Sequence, residues 1–271
     1  ELHQSGRRQR QMCIRDRVRS FRLQSLSFEH GNTAPVFFQK SMIMGNGIPA
    51  PALGNGEKIQ DGLPGDGKLN QPTPMASPGW HQVEEAKPTM EDFTAEDWTL
   101  LSRQKKDFYS EHQAEQALGF LRTQEHVESF GYQVNNYRHC LQSATMAYRD
   151  GCDEELVVCT LFHDVGYLIS PDNHGEFAAT LLANYISNKN YWLLKHHQYF
   201  LDVHARNHPD LDTAELEKFR GHPFFVHTAE WVRRYDQNSI QSSYDTAPLE
   251  FFEPMVKKLF SRPSKGKILN S

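Results

Sequence analysis

Beyond about residue 94, apolar residues recur at three- and four-residue intervals, the spacing that lines one face of a helix. Thr94-Ala-Glu-Asp97 has the form of a capping box and opens a first predicted helix carrying Trp98 and Leu101. A second is predicted from about Glu111 through Leu118 and Leu121. The third carries Tyr137, Cys140, Leu141, Ala144 and Ala147, with His139 beside that stripe. Asp153 stands where it can cap a fourth, whose LVVCTLF is apolar nearly all round and so belongs in the centre of a core. Gly166 is expected to stop that helix just past the adjacent pair His163 and Asp164. Asn173 and Glu176 open a fifth, with Phe177, Ala178, Leu181, Leu182 and Tyr185 on one face. A sixth spans roughly 191–204 and a seventh runs from Pro223 to about Asp236. An eighth starts at Pro248 and carries Phe251, Phe252, Met255, Val256, Leu259 and Phe260. No alternating run of strand length occurs. The expectation is one compact all-α helical bundle over residues 89–263, with a short tail at 264–271.

The chain upstream reads differently. Residues 44–88 are dense in Gly, Pro, Asn and Ser and hold few large apolar side chains, so their ordering entropy would not be offset by burial. The whole stretch 1–88 is therefore expected to be a disordered leader. Its first part begins with Glu, and MCIRDR looks like translated sequencing adaptor, so an assembly artefact is expected there. The Arg-rich, acid-poor stretch from Arg17 to Lys40 keeps a second reading open, the remnant of an organelle transit peptide.

The 271 residues carry a formal charge of -5, with 38% hydrophobic residues and a mean hydropathy of -0.67. The charge offers no attraction for a nucleic-acid backbone, and no apolar run approaches the roughly 20 residues of a bilayer span. Neither nucleic acid nor membrane is an expected partner. Four cysteines, Cys13, Cys140, Cys152 and Cys159, lack metal-knot spacing and read as reduced thiols of an intracellular protein, cytoplasmic unless the Arg-rich leader is a genuine address.

Histidine is the unusual residue: eleven of the 14 lie from His112 onward. His139, the His163-Asp164 pair, His174, His196 or His197, and Asp236 fall one set per predicted helix, the arrangement by which bundles converge metal ligands on one cavity. Each has a plainer reading as a core or surface side chain. A carboxylate at the end of an apolar helix, however, is costly to bury unless something positive meets it. Imidazoles with carboxylates suit iron, manganese or zinc.

In this order the residues resemble the HD-domain superfamily, whose signature is a His, then His-Asp, then a distant Asp. The stretches GYQVNNYRHCLQSATMAYRDGCDEELVVCTLFHDVGYL, DNHGEFAA and PLEFFEPMVKKLFSRP look like the HD phosphohydrolase group related to phosphonate-catabolism proteins. The resemblance covers about 92–263. It extends to organophosphonate-cleaving HD oxygenases and, more distantly, to myo-inositol oxygenases, which hold two irons on four His and two Asp. It implies His139, His163, Asp164, His174, His196 and Asp236 as ligands, with His197 as the alternative to His196 and Asp164 bridging both metals.

Three functions are then expected, in this order. The first is a diiron oxygenase, Fe(II)/Fe(III), cleaving a small hydroxylated and phosphonate-like substrate with O2. The second is a phosphohydrolase using Mn, Mg or Zn, with Asp164 catalytic and Arg233 or Lys195 stabilising developing charge. The third is a metal-holding regulatory domain without turnover. The chain departs from the phosphonate oxygenases at Phe200, where they carry lysine, and at Tyr167, where they carry histidine; SFGYQVNNY lacks their glutamate. Tyr132, Tyr167, Tyr199, Phe200, Phe224 and Phe225 are candidate pocket aromatics. The segment 204–223, with His204, His208 and His222, is a candidate lid.

Overall fold

Asp153 accepts the Leu156 amide at 2.8 Å and starts a helix, Glu154–Phe162, in which all seven residues 156–162 are buried. Its apolar circumference dictates a central place, and the other helices wrap it. The computed structural model describes residues 73–75, 77–209 and 213–266; the expected leader as far as residue 72 and the tail beyond 266 lie outside the described residues. In chain order the helices are α1 (Ala95–Arg122), α2 (Asn136–Arg149), α3 (Glu154–Phe162), α4 (His174–Leu182), α5 (Asn188–Leu201), α6 (Ala214–Glu217), α7 (Phe225–Arg234) and α8 (Leu249–Phe260). Among the described residues there is no strand, and no helix is long and apolar enough to cross a membrane.

The all-α expectation holds, with two differences in detail. The first two predicted helices are one: Thr94 caps α1 through the Asp97 amide, and the helix continues for 28 residues. Its middle is polar, but Gln104 is held by the backbone of His81, donating to the carbonyl at 3.0 Å and accepting from the amide at 2.7 Å. That pairing lays residues near 81, inside the span read as leader, along α1. The four-residue helix α6 stands in the segment read as a candidate lid; Leu216 anchors it in the core.

Small residues set the helix spacing. Ala144 and Ala147 of α2 and Ala178 and Ala179 of α4 are fully buried, so backbones approach closely on the α3 and α5 sides. Gly175 marks the tightest point: a Cβ there would lie 2.6 Å from the Leu194 carbonyl oxygen of α5. Gly166, just past the end of α3, has a similar packing role, since its φ is not positive and a Cβ would meet Phe177 at 2.8 Å. The described cysteines, Cys140, Cys152 and Cys159, are free.

Glu155 ties three elements together. It accepts the Ser187 amide at 2.7 Å, the Asn190 side chain at 2.8 Å and Arg262 at 2.5 Å. Burial opposes its charge, but the Ser187 amide and the Arg262, Ser187 and Asn190 side chains outweigh it and bring the carboxyl from 4.5 down to about 2. A folded value below the unfolded one stabilises above the unfolded pKa and is lost as pH falls through the folded one. The Glu155→Gln variant should therefore be less stable than wild type at pH 7. Denaturant titrations should show the gap closing between pH 4.5 and 2; a gap independent of pH would contradict this role.

Candidate metal centre

Five separate pieces of backbone deliver six side chains to one place. His139 comes from α2, His163 and Asp164 from the tight turns that follow α3, His174 from the first residue of α4, and His197 from α5. Asp236 comes from the 3-10 turn Asp236–Asn238 after α7. The carboxylate of Asp164 stands between two imidazole pairs. Its Oδ1 lies 3.2 Å from Nε2 of both His174 and His197, and its Oδ2 lies 3.6 Å from Nε2 of both His139 and His163. Asp236 completes the second group, its Oδ1 3.5 Å from His139 and 3.7 Å from His163. His163 and His197 are almost wholly buried, as is Asp236.

Every imidazole is oriented the same way. Nδ1 of His139, His163, His174 and His197 donates to the carbonyls of Ser239, Thr160, Pro171 and Leu194, at 3.0, 2.8, 2.7 and 2.8 Å. Donation from Nδ1 leaves each Nε2 with a lone pair turned inward, the tautomer a metal takes. Those lone pairs meet: Nε2 to Nε2 is 2.9 Å for His139 and His163 and 3.2 Å for His174 and His197. Such contacts repel unless a proton or a cation lies between them. Two overlapping triads, His139–His163–Asp236 and His163–Asp164–His197, have donor atoms all within 4.8 Å of one another. The buried Oδ2 of Asp236 has no hydrogen-bond partner, and an unmet buried acceptor is expensive unless a further group reaches it. The donor set, spacing and unmet oxygen fit a metal ion, and Asp164 divides the donors into two groups, His139, His163 and Asp236 on one side and His174 and His197 on the other.

Electrostatics follow the same division. Burial favours a neutral Asp164, but His163, His174 and His197 hold its carboxyl well below the usual range. Asp236 is lowered against its burial by the His163 bond and by the charges of His163, His197 and His139. Burial would lower His163, yet Asp164 and Asp236 raise it to about 9; His139 is lowered by burial and by neighbouring His163. Two ionised carboxylates thus face positive charge in a desolvated cluster.

A second layer of polar contacts, which the sequence reading did not single out, fixes these positions. Asn135 caps α2 through the Arg138 amide and ties the preceding loop through the carbonyls of Glu125 and Val127. Asn136 donates to the Asp164 carbonyl at 2.9 Å and to Gln124, which donates to the Val165 carbonyl at 2.8 Å. The backbone of the His-Asp turn is thereby held from α2 and from the turn that follows α1. The available signal was Asn135 itself, a good N-cap residue directly ahead of the Tyr137 stripe. Ser143 and Ser239 join hydroxyls at 2.6 Å and pin the Asp236 turn to α2, while Trp231 donates to Thr160 at 2.9 Å and packs edge-on against His163.

Of the two adjacent histidines, His197 joins the cluster and His196 does not. Neighbouring helix residues diverge by about 100°, and α5 turns its His197 side to α4 where Gly175 permits contact. His196 packs against Trp192 and Phe219, and burial with Lys195 and His222 nearby brings it down to about 4. Lys195 pairs with Glu176 at 3.3 Å, and Arg233 with Glu230 at 2.6 Å, both outside the cluster.

A pocket of about 380 Å³ opens onto His139, Asp164 and Asp236. Tyr132 and Tyr167 line it, with His204 and Ala205 from the start of the segment read as a lid. The other candidate aromatics lie elsewhere: Phe200 is buried against Trp192 and Phe225, Tyr199 packs on Phe219, and Phe224 approaches Trp192. No family model and no curated protein matches the chain.

Elemental analysis of the metal-loaded chain should give two ions for wild type and for His196→Ala, and none tightly held for Asp164→Ala. In Gly175→Ala, a methyl pressing on the carbonyl that orients His197 should weaken the His174–His197 position by roughly 10- to 100-fold, as lost outer-shell support does. Its metal content should drop toward one. Full content in Asp164→Ala would contradict the ligand assignment.

Proposed function

We propose that the chain is an HD-type metalloenzyme with two metal ions, iron in the first reading, that oxidises a small hydroxylated substrate with O2. The observation that carries this is the division of Asp164: one carboxylate oxygen faces His174 and His197, the other His139 and His163. A single-metal hydrolase has no use for the His174–His197 half. When bound, an iron pair supplies electrons for O2 reduction and a Lewis-acid anchor for a substrate hydroxyl.

The chain's own residues do the rest. The four Nδ1 tethers keep the imidazoles aimed inward without reorganisation. Asp164 stays ionised at working pH, so both its oxygens remain acceptors. Asp236, with His139 and Asp164, forms the polar end of the pocket, toward which a substrate hydroxyl would be oriented. Tyr132, Tyr167 and Leu201 reduce the water that reaches this point.

The second reading is phosphoester hydrolysis, with a metal-activated water. One observation favours it: His139, His163, Asp164 and Asp236 alone make a complete single-metal set. Phosphoryl transfer, however, needs cationic help for developing charge. Lys195 and Arg233, expected to give it, are engaged by Glu176 and Glu230, and neither lines the pocket.

Anaerobically iron-loaded, partly oxidised full-length chain should give an electron paramagnetic resonance signal of a coupled Fe(II)/Fe(III) pair, absent in His174→Ala. Folded, metal-bearing protein that lacks this signal and releases phosphate from phosphoesters without O2 would reverse the order of the two readings.

A further inference from the structure

The pocket has a sharp division of character. Its floor is the buried part of the cluster: Asp236 is 3% exposed, with the His139 and Asp164 side chains at 13% and 15%. Its rim is apolar and open, with Phe130 at 66%, Tyr132 at 62%, Ile240 at 43% and Leu201 at 37%. Phe130 holds its place at φ 55, a left-handed conformation that a bulky residue rarely adopts. Gly131 follows at φ 102. Backbone strain of this kind costs on the order of 1–3 kcal/mol, and it persists where surrounding structure or function demands it. Here it keeps two large aromatic rings at the mouth of the pocket.

Among the described residues, no lysine or arginine lines this pocket. Arg138 donates to the Ser242 carbonyl at 2.5 Å, and Arg233 binds both oxygens of Glu230 at 2.6 and 2.9 Å. Arg206 acts on His204 only through space. A substrate whose far end carried a phosphonate, phosphate or carboxylate would find no lysine or arginine in that lining to pair with, only His204 and the neutral Ser129, Asn135, Asn136 and Gln237, whereas an apolar body gains by covering Phe130, Tyr132, Leu201 and Ile240.

Resting on the two-metal reading above, we infer that the substrate is an uncharged molecule with an apolar, ring-sized body and one oxygen-bearing end: the oxygen end reaches the Asp164–Asp236 floor, and the body lies against Phe130, Tyr132, Leu201 and Ile240. The phosphonate-like substrate expected from sequence does not suit these walls. Ile240 is a specificity-determining residue in this account, since it is accessible and sits beside the Asp236 turn.

Three probes that share one iron-binding head and differ in body test this: acetohydroxamate, benzohydroxamate and 4-carboxybenzohydroxamate. Each is titrated into the full chain loaded with ferric iron, with iron content measured and binding followed by the iron–hydroxamate absorption band. Benzohydroxamate should bind at least tenfold more tightly than either of the others. Ile240→Lys, at an exposed position where the fold tolerates charge, should reduce its advantage over the carboxylated probe to below threefold. Equal affinity for all three, preference for the carboxylated probe, or no binding by iron-bearing protein would overturn the substrate class while leaving the metal centre standing. Failure of the chain to hold iron at all would remove the two-metal reading, and this inference with it.

Discussion

The carboxylate of Asp164 is the constraint on which the rest of the structure depends. It sits at the end of the most buried helix in the molecule, where an unmet charge would be intolerable, and it is met on both sides by imidazole pairs. For each of its oxygens to have partners, α2, α4 and α5 must converge on the end of α3 until their imidazoles lie 3.2 to 3.6 Å from the carboxylate. The small residues along those helices, above all Gly175, allow this convergence. Core packing and site chemistry are thus one requirement.

The backbone does much of the positioning. Three of the four imidazoles bond to a carbonyl three residues earlier in their own chain, so local helix and turn geometry sets both tautomer and direction. His139 is the exception, bonding to Ser239 a hundred residues away. That link, with Ser143 and the mutual bonds of Gln142 and Gln241, locks the Asp236 turn to α2. The last carboxylate is therefore placed by tertiary contacts that no local pattern encodes, and only then do the two halves of the site share a wall.

Much of this could be read from the sequence, and the limits have physical reasons. The helices of the core were legible because their apolar stripes are strong: the seven buried residues of α3 and the Phe252–Val256–Leu259 face of α8 leave no other assignment. The junction inside α1 was not, because its central turns are polar and owe their helicity to continuity and to the His81–Gln104 pairing, a contact between distant residues. The clustered residues His139, His163, Asp164, His174 and Asp236 stood out as one set per helix. The choice between His196 and His197 did not, because it depends on the rotation of α5 against α4, which a single glycine contact decides. Lys195 and Arg233 were expected near the chemistry from charge alone, and surface partners on their own or a neighbouring helix claim both. The apolar character of the pocket was likewise hidden, since its rim is drawn from three stretches, around residues 130, 201 and 240, that become neighbours only on folding.

The central claim is that one carboxylate joins two metal positions in a single bundle. Anomalous diffraction at the iron edge from crystals of the iron-loaded chain tests it most directly. The account predicts two peaks flanking Asp164, one bounded by His139, His163 and Asp236 and the other by His174 and His197, at the roughly 3.5–4 Å separation usual for paired metals. A single peak within the first group, or metal bound at other residues with Asp164 unliganded, would contradict it.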